Sequence, residues 1–271
     1  MAIQSVNRAI QILFAFTVEE PLLGISDLSR KLGINQSTVH HLVQSLISSE
    51  LIEQELNSKK YRLGLRTIEL GGRMLRSRNL SVVVQQYLHH VADRLEETTY
   101  LGVLVNGELL NLEQVCGPHL VQHCGWQGRR TPFHCTSAGK ALAAFLPGVE
   151  LDRLIKGKGL PALTANTITD VEVLKQELEK VIEDGYALNI GELEDQNNAV
   201  AVPIKGPGKN QAVAALGVVG PAYRFTEMKC REAVPYLKSV AVEISGLLYS
   251  GGSWVQISPE SSKSANHVER M

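Results

Sequence analysis

Ser37, His41, Gln44 and Ser48 recur at steps of three and four residues, so on a helix they share one face. That face is polar and uncharged, and it is dense in hydrogen-bonding groups. A Gln pairs bidentately with adenine, and Ser or Thr contacts either base type, so the chemistry on offer is major-groove reading. A second cluster gathers Cys116, His119, His123, Cys124, His134 and Cys135 within twenty residues. Imidazole and thiolate are the usual zinc ligands, and Cys135 or Ser137 beside His134 or His123 are the types a nucleophile and its base require. The spacing weighs against both uses. It fits no standard zinc motif, adjacent residues such as His123 and Cys124 or His134 and Cys135 point to opposite sides of a strand, and no third, orienting carboxylate is apparent. Packing in a core or pocket is therefore the expectation here, with no metal, no cofactor and no catalytic site; a metal-responsive regulator stands as the alternative.

The elements around the first cluster form a recognisable order. Residues 26–49 read as two short helices joined by a tight turn. Ser26 is placed as the cap of the first, Leu28 and Leu32 as its apolar stripe, and Gly33 at the left-handed position a helix end favours. Asn35 is a suitable N-cap for the second helix, where Val39, Leu42, Val43 and Leu46 recur at i, i+3, i+4 and i+7 and bury one side. An earlier helix, with Val6, Ala9, Ile10, Leu13 and Phe14 as its expected apolar face, ends before Pro21. Residues 51–55 and 60–64 read as a hairpin around Asn57-Ser58. Three helices and a basic hairpin predict a winged helix-turn-helix over residues 1–66. On that reading Gln36, Ser37, Thr38, His41 and Gln44 face bases, while His40 lies nearer the buried edge. Ser5, Arg8 and Ser26 at helix starts and Lys59, Lys60 and Arg62 on the wing meet phosphates.

Charge agrees modestly. Residues 1–78 hold 10 Lys+Arg and 7 Asp+Glu, a balance of +3; residues 79–271 hold 17 and 21, a balance of −4, which together give the −1 of the whole chain. So small an excess predicts that affinity for DNA comes from paired copies reading two half-sites rather than from a large electrostatic term. At 271 residues two domains are expected, and 44% hydrophobic with 20% charged residues describes an ordinary globular chain. There is no run of about 18 apolar residues to span a membrane and no signal-peptide core at the N-terminus. The four cysteines are accordingly expected as reduced thiols in the cytoplasm.

Residues 67–79 carry a partial stripe of Ile68, Leu70, Met74 and Leu75, interrupted by Gly71-Gly72, and read as a linker helix with a possible bend. Residues 80–250 mix both kinds of element. Helices are expected at 82–98, 137–146, 171–184 and 227–249, and strands at 100–105, 108–114, 120–126, 131–134, 199–204 and 212–219. Asn106-Gly107 is the strongest hairpin signal among them. The sum is an α+β domain with a mostly antiparallel sheet. Residues 251–271, Gly/Ser-rich and polar, are expected to be a disordered tail.

Over nearly its full length the chain resembles the IclR family of transcriptional regulators. The N-terminal part does so in GISDLSRKLGINQSTVHHLVQSLISSELIEQ and YRLGLRTIELG, the C-terminal part in RTPFHCTSAGKALAAFLP, LTANTITD, EDGYALNIGE and residues 214–221. The resemblance implies a winged helix joined to a GAF/PAS-like effector-binding domain, in dimers or tetramers on pseudo-palindromic double-stranded operators. It implies Leu120, His123, Thr131, Ser137, Ala138, Asn189, Ala199, Gly217 and Val219 as effector-lining residues. Ser137, Ala138 and Gly139 also have a physical reason: free N–H groups at a helix start suit a carboxylate, and small side chains let it approach. Asn189 stands where the family often has Asp, Gly217 and Val219 where it often has Ser, Ala199 where it often has Cys, and His41 where it often has Arg. A less polar pocket follows, suited to an acid with more apolar or aromatic surface than glyoxylate or pyruvate. The expected function is a ligand-responsive regulator of a catabolic operon, with repression as the first reading of its sign and activation as the alternative.

Overall fold

A computed structural model describes residues 3–17, 19–77, 80–206 and 211–250; the expected tail at 251–271 lies outside them. The chain divides into two compact units, Met1–Ser77 and Arg78–Met271. Among the described residues no helix is long and apolar enough to cross a membrane.

In the first unit α1 (Gln4–Ala15), α2 (Ile25–Leu32) and α3 (Gln36–Ser48) pack around one core, beside a small antiparallel sheet of β1 (Leu23–Gly24), β2 (Ile52–Gln54) and β3 (Lys60–Leu63) in the order β1-β3-β2. Helix α4 (Arg66–Ser77) follows. Ile12, Leu28, Val39 and Val43 are fully buried at the centre. Two expectations need correction. The inner face of α1 is Ile12, flanked by Ala9 and Leu13, whereas Val6, Ile10 and Phe14 are 51%, 44% and 81% exposed. Ile10 and Phe14 each lie two residues from Ile12, about 200° around the helix, so choosing Ile12 as the core residue turns both outward. Ser26 does not cap α2. The cap is Gly24, whose N–H donates to the Asp27 carboxylate at 3.1 Å, and Ser26 sits exposed in the first turn. Gly33 does close α2, with φ 65°. Gly71-Gly72 does not interrupt α4, which is helical throughout; the side chains of Met74 and Leu75 lie outside the described ones.

The second unit is built on a six-stranded antiparallel sheet. Its elements are α5 (Leu80–Leu95), β4 (Thr98–Val105), β5 (Glu108–Val115), β6 (Arg130–Pro132), α6 (Ser137–Ala143), α7 (Gly148–Lys158), α8 (Val171–Asp184), β7 (Ala187–Ile190), β8 (Asn197–Lys205), β9 (Ala212–Pro221) and α9 (Glu227–Ser250). The strand order is β6-β5-β4-β9-β8-β7. Asn106 and Gly107, both at positive φ, make the β4–β5 turn. Asp170 caps α8 through bonds of 2.9 Å to two backbone N–H groups, and Gly185 at φ 69° ends it.

Period-2 alternation sorts large from small side chains across this sheet. Leu101, Val103, Val200, Val202, Ile204, Leu216 and Val218 face α5 and α9. Ala199, Ala201, Ala215 and Val219 face the other way, toward α6 and α8, with Gly217 in the same row. The small residues let the Ala- and Gly-rich α6 lie close on the sheet; both faces are covered, which is why these strands read as continuous apolar runs. Some expected elements differ. Residues 120–126 form an irregular loop rather than a strand, because their hydrogen bonds go to the Gln114 side chain instead of a neighbouring strand. Helix α6 stops at Ala143, and α7 and β7 were not foreseen. Cys116 and Cys124 are not separate thiols: they form a disulfide with Cα atoms 5.9 Å apart, because that loop folds back on itself. Cys135 and Cys230 are free and buried.

Candidate DNA-reading face and effector cavity

Asn35 launches α3 by accepting a bond from the Thr38 N–H at 2.8 Å, and its oxygen also takes the Ser37 hydroxyl at 3.0 Å. Burial of Val39, Val43 and Leu46 fixes the rotation of the helix. Gln36, Ser37, His40, His41 and Gln44 are thereby exposed and Thr38 half-buried. His40 is not at the buried edge as expected. One step of about 100° beyond Val39 carries it clear of the core, and it meets His41 edge-on with ring centroids 6.0 Å apart. Ser5 is exposed and Arg8 half-buried on α1. At the wing tip Lys59 and Lys60 are exposed, and neither they nor Gln36 and Gln44 have a side-chain partner among the described residues. Arg62 differs: its Nε lies 2.5 Å from Glu53 and its Nη1 3.1 Å from Glu55. Two carboxylates within the hairpin thus offset one of the three cations counted as free.

In the second unit a cavity lies over the small-residue face of the sheet. Asn189, Ala199 and Val219 stand in register across β7, β8 and β9, and Tyr100, Leu109 and Thr131 continue the lining on β4, β5 and β6. Thr136 and Ser137 close one end at the head of α6. The loop after β5 covers the other side with His123 and Trp126, while Asn111 and Leu193 complete the wall. Gln114, also lining, holds that loop: its Nε2 donates to the His123 carbonyl and its Oε1 accepts the Trp126 N–H, both at 3.0 Å. Its enclosed volume is about 40 Å³, opening onto solvent, and among the described residues no Asp, Glu, Lys or Arg lines it.

His123 packs on Trp126 with centroids 4.5 Å apart, and its Nδ1 lies 3.3 Å from Asn197 Nδ2 and 3.7 Å from a Glu194 oxygen. Burial lowers its pKa below the ordinary 6.5, against the opposing pull of Glu194. Thr131 Oγ1 is buried without a partner. Tyr100 is 6% exposed, and its hydroxyl lies 3.0 Å from Ser137 Oγ. Burial pushes its pKa up to about 12, so it is a phenol at any ordinary pH. Its ring lies against Gly217, its cross-strand partner, where a Cβ would come within 2.3 Å of Tyr Cζ.

Of the effector-lining residues expected from sequence, the fold brings His123, Thr131, Ser137, Asn189, Ala199 and Val219 to the cavity. Leu120 is 99% exposed on the covering loop and does not line it. Ala138 is buried behind Ser137, and Gly217 lies beneath the Tyr100 ring. At the start of α6 the Ser137 hydroxyl lies against the Tyr100 hydroxyl, and the smallness of Gly139 admits a carbonyl of the chain itself, since a Cβ there would lie 2.3 Å from Phe133 O. Tyr100, Leu109, Asn111, Gln114, Trp126, Thr136 and Leu193 were missed. The signal for Tyr100 was present in the alternation of β4, where it falls opposite the sheet face of Leu101 and Val103.

A buried ion pair braces this end of the unit. Lys140 of α6, 1% exposed, donates to Glu192 at 2.6 Å and lies 3.7 Å from Glu177 of α8. The Glu192 N–H bonds to Asn189 Oδ1 at 2.8 Å and its carbonyl accepts the Thr167 hydroxyl at 2.6 Å. Burial raises the Glu192 pKa despite Lys140, and Glu192 Oε2 has no partner, so the pair positions Asn189 and α6 more than it stabilises them. The nucleophile expected as an alternative has poor chemistry: burial pushes the Cys135 thiol up to about 12, and His134 spends its Nε2 on the Pro161 carbonyl at 3.1 Å. Among the described residues no three His, Cys, Asp or Glu side chains converge to hold a metal ion.

Comparison with known proteins bears on both sites. The family profile described as the IclR helix-turn-helix domain matches residues 5–56, and that of the bacterial transcriptional regulator IclR C-terminal region matches residues 72–246. The HTH-type transcriptional regulator XynR of Escherichia coli (strain K12) is 34% identical over 80% of this chain and 85% of its own length. KdgR of the same strain, also an HTH-type transcriptional regulator, is 30% identical over 90% and 92%. Among solved structures, an IclR homolog from Microbacterium hydrocarbonoxydans complexed with 4-hydroxybenzoate is 27% identical, with a TM-score of 0.76 over 91% of this chain and all of that one (100%).

Proposed function

The chain belongs to the IclR family of DNA-binding transcriptional regulators, which are not enzymes, and on that premise we propose that it represses a catabolic operon until a small aromatic acid fills the cavity of its second unit. The observation that carries the ligand class is the lining itself: three rings, from Tyr100, His123 and Trp126, with hydroxyl and amide groups and no charged side chain. Ring surface suits a flat apolar body, and the unpartnered Thr131 hydroxyl and the Asn111 and Asn189 amides suit the polar ends. The 4-hydroxybenzoate held by the Microbacterium hydrocarbonoxydans homolog is of this class. His123, Thr131, Ser137, Asn189, Ala199 and Val219 are the contact residues of this reading.

On the DNA side, Gln36, Ser37, Thr38, His41 and Gln44 read base edges, and Ser5, Arg8, Ser26, Lys59 and Lys60 meet phosphates. Arg62 contributes less because Glu53 and Glu55 hold it. Two or four copies engage a pseudo-palindromic operator, and the exposed apolar residues of α1 and α4 are consistent with assembly. Effector and operator are linked, so each alters affinity for the other by the same factor. The test is binding of the purified protein to the DNA upstream of its own gene, titrated with aliphatic and aromatic acids. An aromatic acid that weakens binding supports the proposal; one that strengthens it makes the protein an activator or co-repressed regulator. Response to small 2-oxo acids alone overturns the ligand class.

A further inference from the structure

We propose that Tyr100 is the specificity-determining residue of the cavity, a built-in stop that fixes how long a ligand can be by occupying the head of α6 with its own hydroxyl. The inference rests on the reading of this cavity as the effector site. Its grounds are geometric. The Tyr100 hydroxyl lies 3.0 Å from Ser137 Oγ, a group that a ligand arriving at α6 would use. The ring has one place to lie, because Gly217 opposite it on β9 is the only residue type with room for it: any Cβ would come 2.3 Å from Cζ and 2.6 Å from the hydroxyl. Gly102, the next residue of β4 on the same face, leaves similar room for Leu109, whose Cδ1 would lie 2.7 Å from an added Cβ. Two glycines in adjacent strands thus pack large side chains of the chain into space that small residues leave on this face of the sheet.

The consequence is a ligand that ends at Tyr100 rather than at α6. The expected ligand is a single-ring acid whose terminal polar group meets the phenol hydroxyl. Acids extended at the far end collide with the ring. Replacing Tyr100 by Leu shortens the stop, and replacing it by Phe keeps the stop but removes its hydrogen bond.

The experiment measures ligand affinity by calorimetry on the full chain as wild type, Tyr100→Phe and Tyr100→Leu, using benzoate, 4-hydroxybenzoate, 4-hydroxycinnamate and biphenyl-4-carboxylate. Cooperative melting of each variant establishes that it is folded. The expected result is that wild type binds the single-ring benzoates and rejects the longer acids. Tyr100→Leu then shifts the ratio of long to short affinities by about tenfold or more toward the long acids. Tyr100→Phe keeps the same length limit and loses about fivefold for 4-hydroxybenzoate relative to benzoate. If wild type binds the short acids and folded Tyr100→Leu has the same length limit, Tyr100 is not the stop and the effector reading survives. If no form binds any of the four acids, the aromatic-acid reading and this inference fall together.

Discussion

The reading face and the cavity solve opposite problems. The face of α3 is made of residues within nine positions of one another, held only by the helix beneath them, and among the described residues the Gln36 and Gln44 side chains have no partner. The cavity is assembled from residues between Tyr100 and Val219 on six strands, a helix and two loops, and apart from the Thr131 hydroxyl most of its polar groups are already wired to the chain: Tyr100 to Ser137, Asn189 to Glu192, Gln114 to its covering loop. A face that docks on a large, highly charged partner keeps its groups in water, where leaving them unpaired costs little. A buried cavity does so sparingly, because an unpaired buried polar group costs about 1–3 kcal/mol. Stability and function should therefore separate cleanly on α3 and be entangled around the cavity.

The largest effect that sharpens this contrast is expected at Lys140. Lys140→Met leaves Glu192 buried and uncompensated and should cost about 3–5 kcal/mol in urea unfolding, while Lys140→Met with Glu192→Met recovers most of it. A loss under about 1 kcal/mol in the single variant would mean the pair is less buried than it stands, and the cavity less tightly wired. Gln44→Ala, by contrast, should leave unfolding within about 0.5 kcal/mol of wild type and weaken specific operator binding by about 1–3 kcal/mol, measured by fluorescence anisotropy against a mismatched site. Equal losses on both DNAs would remove Gln44 from base reading.

His123 gives the cavity a pH dependence. Its folded pKa lies below the ordinary 6.5 because burial opposes the charge. Between the two values the unfolded chain holds a proton that the native protein refuses, so stability is complete above 6.5 and declines as pH falls through that window. His134 shifts in the same direction, so the measurement is the difference between wild type and His123→Gln: the variant's melting temperature should fall less on acidification. Parallel curves would show that His123 titrates as it does unfolded. The smallest effect is expected on the wing. Lys59→Ala should reduce the slope of log affinity against log salt by about 1 and affect all sequences alike, with no change in melting. Arg62→Ala should change that slope less, because Glu53 and Glu55 already balance the cation.

The helix-turn-helix was legible because its determinants are local. Gly33 and Asn35 mark the turn, and the Val39/Val43/Leu46 spacing orients the helix without help from elsewhere. Even so, α1 was turned wrongly: Val6, Ile10 and Phe14 are as apolar as Ile12, and only packing against α2 and α3 selects among them. In the second unit the capped α8 and the Asn106-Gly107 hairpin were readable, whereas β7 and α7 were not, although Gly185 and Gly191 bound the one and Pro147 and Gly159 the other. Leu120 shows why resemblance placed some cavity residues badly. Its position depends on the path of a loop held by Gln114 and by the Cys116–Cys124 disulfide, neither of which leaves a periodic trace in the sequence.

By itself the sequence determined that this is a two-part α+β chain with a DNA-reading helix, because turn residues, caps and periodicity act over a few neighbouring positions. Only the tertiary structure decided what the cavity is. Strand register set Tyr100 against Gly217, burial kept it a phenol, and the fold closed α6 with a hydroxyl of the chain itself. Such contacts join residues from 37 (Tyr100–Ser137) to 117 (Tyr100–Gly217) positions apart, and the energy that selects them comes from packing and desolvation, which no local pattern records.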